Sequence, residues 1–141
     1  MEKSRMQLVN YVVNELKIKK NVEFDFSNKS IMMNPEIGNK IEKIDKDTVA
    51  VSLRVIIHKS KKKPFSTCVE IMGIFKLENW ENEENTSLVR KNAMMILFPY
   101  LRSNLSSLTN LAGFTPYILP TFDVTNVDDC VKQGENSSNI K

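Results

Sequence analysis

The side chains able to do bond chemistry are few and scattered along this chain. His58 is the single histidine, and its sequence neighbours Lys59, Lys61, Lys62 and Lys63 supply no carboxylate or thiol. Acid–base or nucleophilic catalysis needs such a partner within hydrogen-bond reach, so a solvated histidine is the expectation. Cys68 and Cys130 lie far apart, with neither the close spacing of a zinc site nor the density of a disulfide framework. Reduced thiols follow. A glycine-rich phosphate loop and a paired-acid motif are both missing from the sequence. The chain is therefore expected not to be an enzyme and to carry no metal and no cofactor.

What the residues offer instead is apolar contact. Leu111, Phe114, Tyr117, Ile118, Leu119 and Phe122 crowd a segment whose turn chemistry comes from Gly113, Pro116 and Pro120. Prolines keep such a loop extended and stiff, which lowers the entropy lost when something docks on it. An apolar, stiff loop reads as the wall of a groove.

Upstream of the loop, Ala93, Ile96, Leu97, Tyr100, Leu101, Leu105, Leu108 and Ala112 recur at the three-and-four spacing of one helical stripe. Arg102, Ser103, Asn104, Ser106, Ser107 and Asn110 fill the other side, so the helix is amphipathic. Asn85 or Thr86 is placed to cap its start and Gly113 to end it in the left-handed conformation. Pro99 removes a backbone donor midway and predicts a kink, at a cost of about 3 kcal/mol.

Ahead of the helix the pattern is β. Leu16, Ile18, Val22, Phe24 and Phe26 alternate with charged residues, predicting a strand over 16–26, while Tyr11-Val12-Val13 reads equally as its extension or as a helical turn. Residues 34–39 predict a break, and 40–44 a short edge strand. The next two runs are clearer. Val49, Val51, Leu53, Val55 and Ile57 form one dry face, and Phe65, Thr67, Val69, Ile71, Gly73, Phe75 and Leu77 form another, joined by the short polar turn at 58–64. They predict an antiparallel hairpin. Residues 81–85 read as a polar, acidic linker.

The expected fold is α+β: a roughly four-stranded antiparallel sheet covered by a long kinked helix, with a short C-terminal helix or turn. At 141 residues, one domain over 1–130 followed by a disordered tail over 131–141 fits the length and the loss of apolar periodicity. No stretch approaches the roughly 18 apolar residues of a membrane span, and no cleavable leader is recognisable, so the expected location is the cytoplasm.

Taken together, Ile96-Leu97-Phe98-Pro99-Tyr100 with Arg102, then Gly113-Phe114, Pro116, Leu119-Pro120 and Phe122-Asp123, resemble the long helix and helix-connecting loop of the SecB export chaperones. Gly73-Ile74-Phe75 matches as well, and the resemblance runs over residues 11–124. It implies an ATP-independent chaperone that holds unfolded chains or preproteins, assembled as a dimer of dimers, with the translocase ATPase SecA as a partner. The client groove it implies comprises Phe24, Phe75, Tyr100, Leu111, Phe114, Tyr117, Ile118, Leu119 and Phe122, and Glu70 is the matching translocase contact. If a groove removes on the order of 600 Å² of apolar area, about 15 kcal/mol gross stands against an association cost of about 4–15 kcal/mol. Several grooves on one long client would then be needed for firm holding, which an oligomer supplies.

The chain departs from the family in being net basic, +3, where export SecB is acidic, and in having only a short segment after the loop. A SecB-like chaperone dedicated to one client, such as an antitoxin, would keep the groove without the translocase contact. From another class, the Lys59–Lys63 turn could track nucleic-acid phosphates. It lacks interleaved aromatics and any helix-turn-helix or zinc pattern, so nucleic acid ranks last as a partner.

Overall fold

The computed structural model describes residues 6–27, 31–78 and 83–121. In chain order it contains β1 (Gln7–Lys20), β2 (Glu36–Asp45), β3 (Thr48–Ile57), β4 (Phe65–Lys76) and α1 (Glu83–Leu111). The strands form one antiparallel sheet in the order β1-β4-β3-β2, with the helix packed on one face. This is the expected α+β arrangement. The C-terminal helix or turn, the tail and Phe122 lie outside the described residues.

The β3–β4 hairpin forms the middle of the sheet, and its alternation is nearly perfect. Val49, Val51, Leu53 and Val55 on β3, with Val69, Ile71 and Phe75 on β4, are fully buried on the helix side. From α1, Val89, Ala93, Met94, Leu97, Leu101 and Leu105 complete the core. At Gly73 the helix comes so close that an added Cβ would stand 2.8 Å from the Phe75 ring and 2.9 Å from the Leu97 side chain. Glycine is what lets Leu97 seat there.

Three element boundaries differ from the sequence expectation. β1 starts at Gln7 and stops at Lys20, so Val22, Phe24 and Phe26 alternate without belonging to a strand. Lys20 lies opposite Phe65, the first residue of β4, and beyond it there is no strand left to pair with. Register shifts after Leu8 and after Val13 insert Val9 and Asn14, which breaks the period of two just where the strand needed to be recognised. Tyr11-Val12-Val13 is strand. β2 begins at Glu36 rather than after residue 39, because Ile37, Gly38 and Asn39 pair with Val55, Arg54 and Leu53 and only Asn34, at a φ of 49°, and Pro35 carry the break.

The helix begins at Glu83, inside the segment expected as linker. It then runs unbroken through Pro99 to Leu111. Its end follows the expected chemistry closely: Gly113 has a φ of 96°, its N–H donates to Asn110 O, and the Phe114 N–H donates to Thr109 O, both at 3.0 Å. These two bonds make a Schellman closure, which satisfies the last carbonyls and turns the chain sharply back.

The two sheet edges are unlike. β2 has Lys40, Glu42, Lys43 and Asp45 exposed along its second half. β1 is longer and exposes Val9, Val13 and Leu16.

Candidate apolar binding site

Two connections converge at the end of the sheet marked by Phe65. The crossover from β1 to β2 is tied down there by Asn21, whose N–H donates to Pro64 O at 2.8 Å while its side-chain amide donates to Ser60 O at 3.1 Å and Lys63 O at 2.9 Å. The loop after α1 reaches the same place, with the Phe114 ring 4.9 Å and the Tyr117 ring 6.5 Å from that of Phe65. A three-ring cluster results.

The loop is pinned to the helix along its return path. Thr109 is fully buried; its hydroxyl donates to Leu105 O at 3.1 Å and accepts the Tyr117 N–H at 2.9 Å. Arg102 Nε donates to Leu119 O at 3.0 Å while its guanidinium lies 5.6 Å over the Phe98 ring. These bonds satisfy backbone groups that have no strand partner, so the loop holds its shape without secondary structure. Burial also raises the Tyr117 hydroxyl above its ordinary pKa, which keeps it neutral.

With its backbone fixed, this end leaves apolar side chains in solvent. Ile118 is 61% exposed, Val22 83% and Met32 73%, and Phe26 and Ile31 are exposed beside them on the crossover. Phe24 is buried and meets Phe26 edge-on at 4.8 Å. Lys20 Nζ stands 5.8 Å over the Phe26 ring. Large apolar groups so exposed at one end of a folded domain make that end a candidate interaction surface.

The expected groove residues thus separate by location. Phe114 and Tyr117 meet on Phe65, Phe24 lies in the crossover anchored at that end, and Ile118 is open to solvent. Phe75 and Leu119 are fully buried in the core, so neither lines the surface of the site, and Phe75 lies at the far end of β4 from Phe65, opposite Leu8 and Val49. Tyr100 and Leu111 are exposed on the helix, and Tyr100 turns toward β1: its ring is 4.6 Å from that of Tyr11, and Asn104 bridges the Tyr11 hydroxyl and the Tyr100 carbonyl. On that flank Val13 and Leu16 share the core-facing side of β1, opposite Ile71 and Val69, yet α1 barely reaches them. The surface is a second apolar one, distinct from the loop end.

Sequence reasoning missed Val22 and Phe26, which it assigned to a strand, and Phe65, which it assigned only to the hairpin. The signal available was Asn21, a turn former at the point where β1 loses its partner.

Glu70 is already engaged. Its Oε1 accepts from Arg54 Nε at 2.9 Å and Nη2 at 2.7 Å, and its Oε2 accepts from Asn14 at 3.1 Å. Next to it the Cys68 thiol, half buried and bonded to Glu15 at 3.3 Å, is pushed up to about 11 by burial and the adjoining carboxylate, so it remains a thiol at neutral pH. His58 is not merely solvated: the β2–β3 register brings Glu36 Oε1 to 3.1 Å from its Nε2. Among the described residues no group of His, Cys, Asp and Glu could hold a metal ion, and no helix is long and apolar enough to cross a membrane.

Comparison with known proteins gives this geometry a context. The family model for the preprotein translocase subunit SecB matches residues 14–128. The protein-export protein SecB of Methylococcus capsulatus is 33% identical over 85 residues, 59% of this chain and 55% of the relative, so the chain spans about half the length of that protein. An uncharacterized protein of Methanocaldococcus jannaschii is 25% identical over 130 residues, 89% of this chain and 83% of its own length. Among solved structures, the SecB-like chaperone of Mycobacterium tuberculosis, in complex with a ChAD peptide from an antitoxin, superposes with a TM-score of 0.64 over 84% of this chain and 91% of that one, at 14% identity. That likeness establishes the fold.

Proposed function

The chain belongs to the SecB family, a family of chaperones and not of enzymes, and on that premise we propose that it holds non-native polypeptide segments, without nucleotide, at the apolar end framed by residues 21–27, 31–35 and 112–121. The observation that carries this reading is the combination of a pinned backbone with exposed Val22, Phe26, Met32 and Ile118. An unfolded client presents extended apolar segments, and a site built of adaptable Met, Ile and Phe side chains accepts many of them by burial alone. Holding before export is the first version.

Dedication to one client, such as an antitoxin, is the second, favoured by two observations. The chain is net basic, and Glu70, the residue matching a translocase contact, is already paired with Arg54. In either version β1 and the adjoining helix flank form the surface where copies of the chain meet, because that edge is open and Val13, Leu16, Tyr100 and Leu111 lie bare along it. Copies joined there present several sites to one client.

The test is suppression of aggregation of a chemically unfolded client, without nucleotide, by the native chain and by Ile118→Asp. Ile118 is exposed, so the variant keeps its fold, and client affinity is expected to fall roughly tenfold as a buried contact becomes a desolvated charge. Equal protection by both proteins rules this site out.

A further inference from the structure

Charge is distributed unevenly along the sheet, and the excess lies at the apolar site. Lys17, Lys19 and Lys20 close β1, with Lys20 on the face of Phe65 and Lys17 and Lys19 on the other face of that end, and the hairpin turn to which Asn21 ties the crossover exposes Lys59, Lys61 and Lys62. Lys20 lies opposite Phe65, on the side of the sheet where Phe114 and Tyr117 sit. Lys63 is not part of this surface: it is buried, with its Nζ on His58 O at 3.3 Å. Among the described residues the carboxylates at this end are Glu23 and Asp25 on the crossover, with Glu36 on His58 and Glu15 within 3.9 Å of Lys17. Asp25 is capped by the Ser27 hydroxyl at 2.7 Å and the Ser27 N–H at 3.0 Å. At the opposite end Lys40, Lys43, Lys46 and Lys76 are interspersed with Glu42, Asp45, Asp47 and Glu78, and the signs balance.

We propose that the site selects client segments in which an apolar stretch is flanked by acidic residues; this deepens the chaperone reading above and rests on it. Complementary charge within about 8 Å acts through physiological salt, so lysines adjoining the apolar surface discriminate among clients that burial alone would treat alike. The aromatic faces argue for a peptide over a nucleic acid. Phe24 and Phe65 are buried against neighbouring rings, and among the exposed side chains the aliphatic Val22, Ile31, Met32 and Ile118 outnumber the single open ring of Phe26, which gives bases little to stack on.

The experiment titrates the full chain against two fluorescein-labelled peptides with one shared Leu/Phe/Ala core, flanked by Glu in the first and by Lys in the second, and against a single-stranded oligothymidylate. At low salt the Glu-flanked peptide is expected to bind roughly tenfold tighter than its Lys-flanked twin, as a few exposed charge pairs allow, and the gap to narrow at high salt. The double variant Lys61→Glu/Lys62→Glu, on an exposed turn and checked for an unchanged circular dichroism spectrum, should reverse the order. Equal affinity for both peptides, or preference for Lys flanks, overturns the inference and leaves the apolar site standing. Binding of neither peptide overturns both. Displacement of the Glu-flanked peptide by a tighter-binding oligothymidylate also overturns it, assigning the lysines to phosphate.

Discussion

The β3–β4 hairpin and the pair of connections at the Phe65 end are both rich in apolar side chains, yet one is sealed and the other open. In the hairpin the alternation sends Val49, Val51, Leu53, Val55, Val69, Ile71 and Phe75 to one side, where they meet the helix, while Ala50, Ile56, Met72 and Ile74 fall on the other face. The connections have no such period. Their backbone is held by Asn21, Thr109, Arg102 and the Schellman turn, which leaves Val22, Met32 and Ile118 with no interior to enter. Periodic apolar residues make a core, whereas aperiodic ones on a pinned backbone stay at the surface.

Substitutions that strike one region and spare the other put this contrast to the test. The largest effect is expected from Leu53→Ala in the sealed hairpin, a loss of about 3–5 kcal/mol in urea denaturation because the helix and sheet cannot close over the void. A loss under about 1 kcal/mol would show that the core is looser than its packing implies. Next comes Thr109→Val, which keeps the shape of the side chain but removes the acceptor of the Tyr117 N–H. About 1 kcal/mol should be lost, and hydrogen exchange should accelerate at the Tyr117 amide while the hairpin amides stay protected. Uniform acceleration would mean that loop and core are one cooperative unit. Smallest in its effect on the folded chain is Leu16→Asp on the open flank of β1. Its far-ultraviolet spectrum should match that of the native chain while the sedimenting mass falls, and an unchanged mass would remove β1 from the contact between copies.

The parts that sequence made legible are those where one rule governs. Alternation alone placed the hairpin, three-and-four spacing placed the helix stripe, and Gly113 marked its end. Boundaries failed where a second influence entered: insertions at Val9 and Asn14 obscured β1, and the alternation past Lys20 continued where no partner strand exists. Tyr117 and Ile118 read correctly as loop residues, but burial of Leu119 depends on Arg102 drawing its carbonyl toward the helix, a contact between residues distant in sequence. The lysines were visible as a cluster. Their adjacency to the aromatics comes from Asn21 folding the crossover onto the turn, which no local pattern encodes.

The unlike borders of the sheet bear on how far such a protein can grow. A row of unpaired backbone groups is a template for further strands, and β1 offers one. β2 answers with alternating ammonium and carboxylate groups at Lys40, Glu42, Lys43 and Asp45, a fringe that any incoming strand would have to dehydrate. Pairing of copies through β1, as proposed above, would use up the inviting margin and leave outward the β2 edges, where Ile44 is the exposed large apolar side chain among those charges, so that further growth would have to dehydrate the fringe.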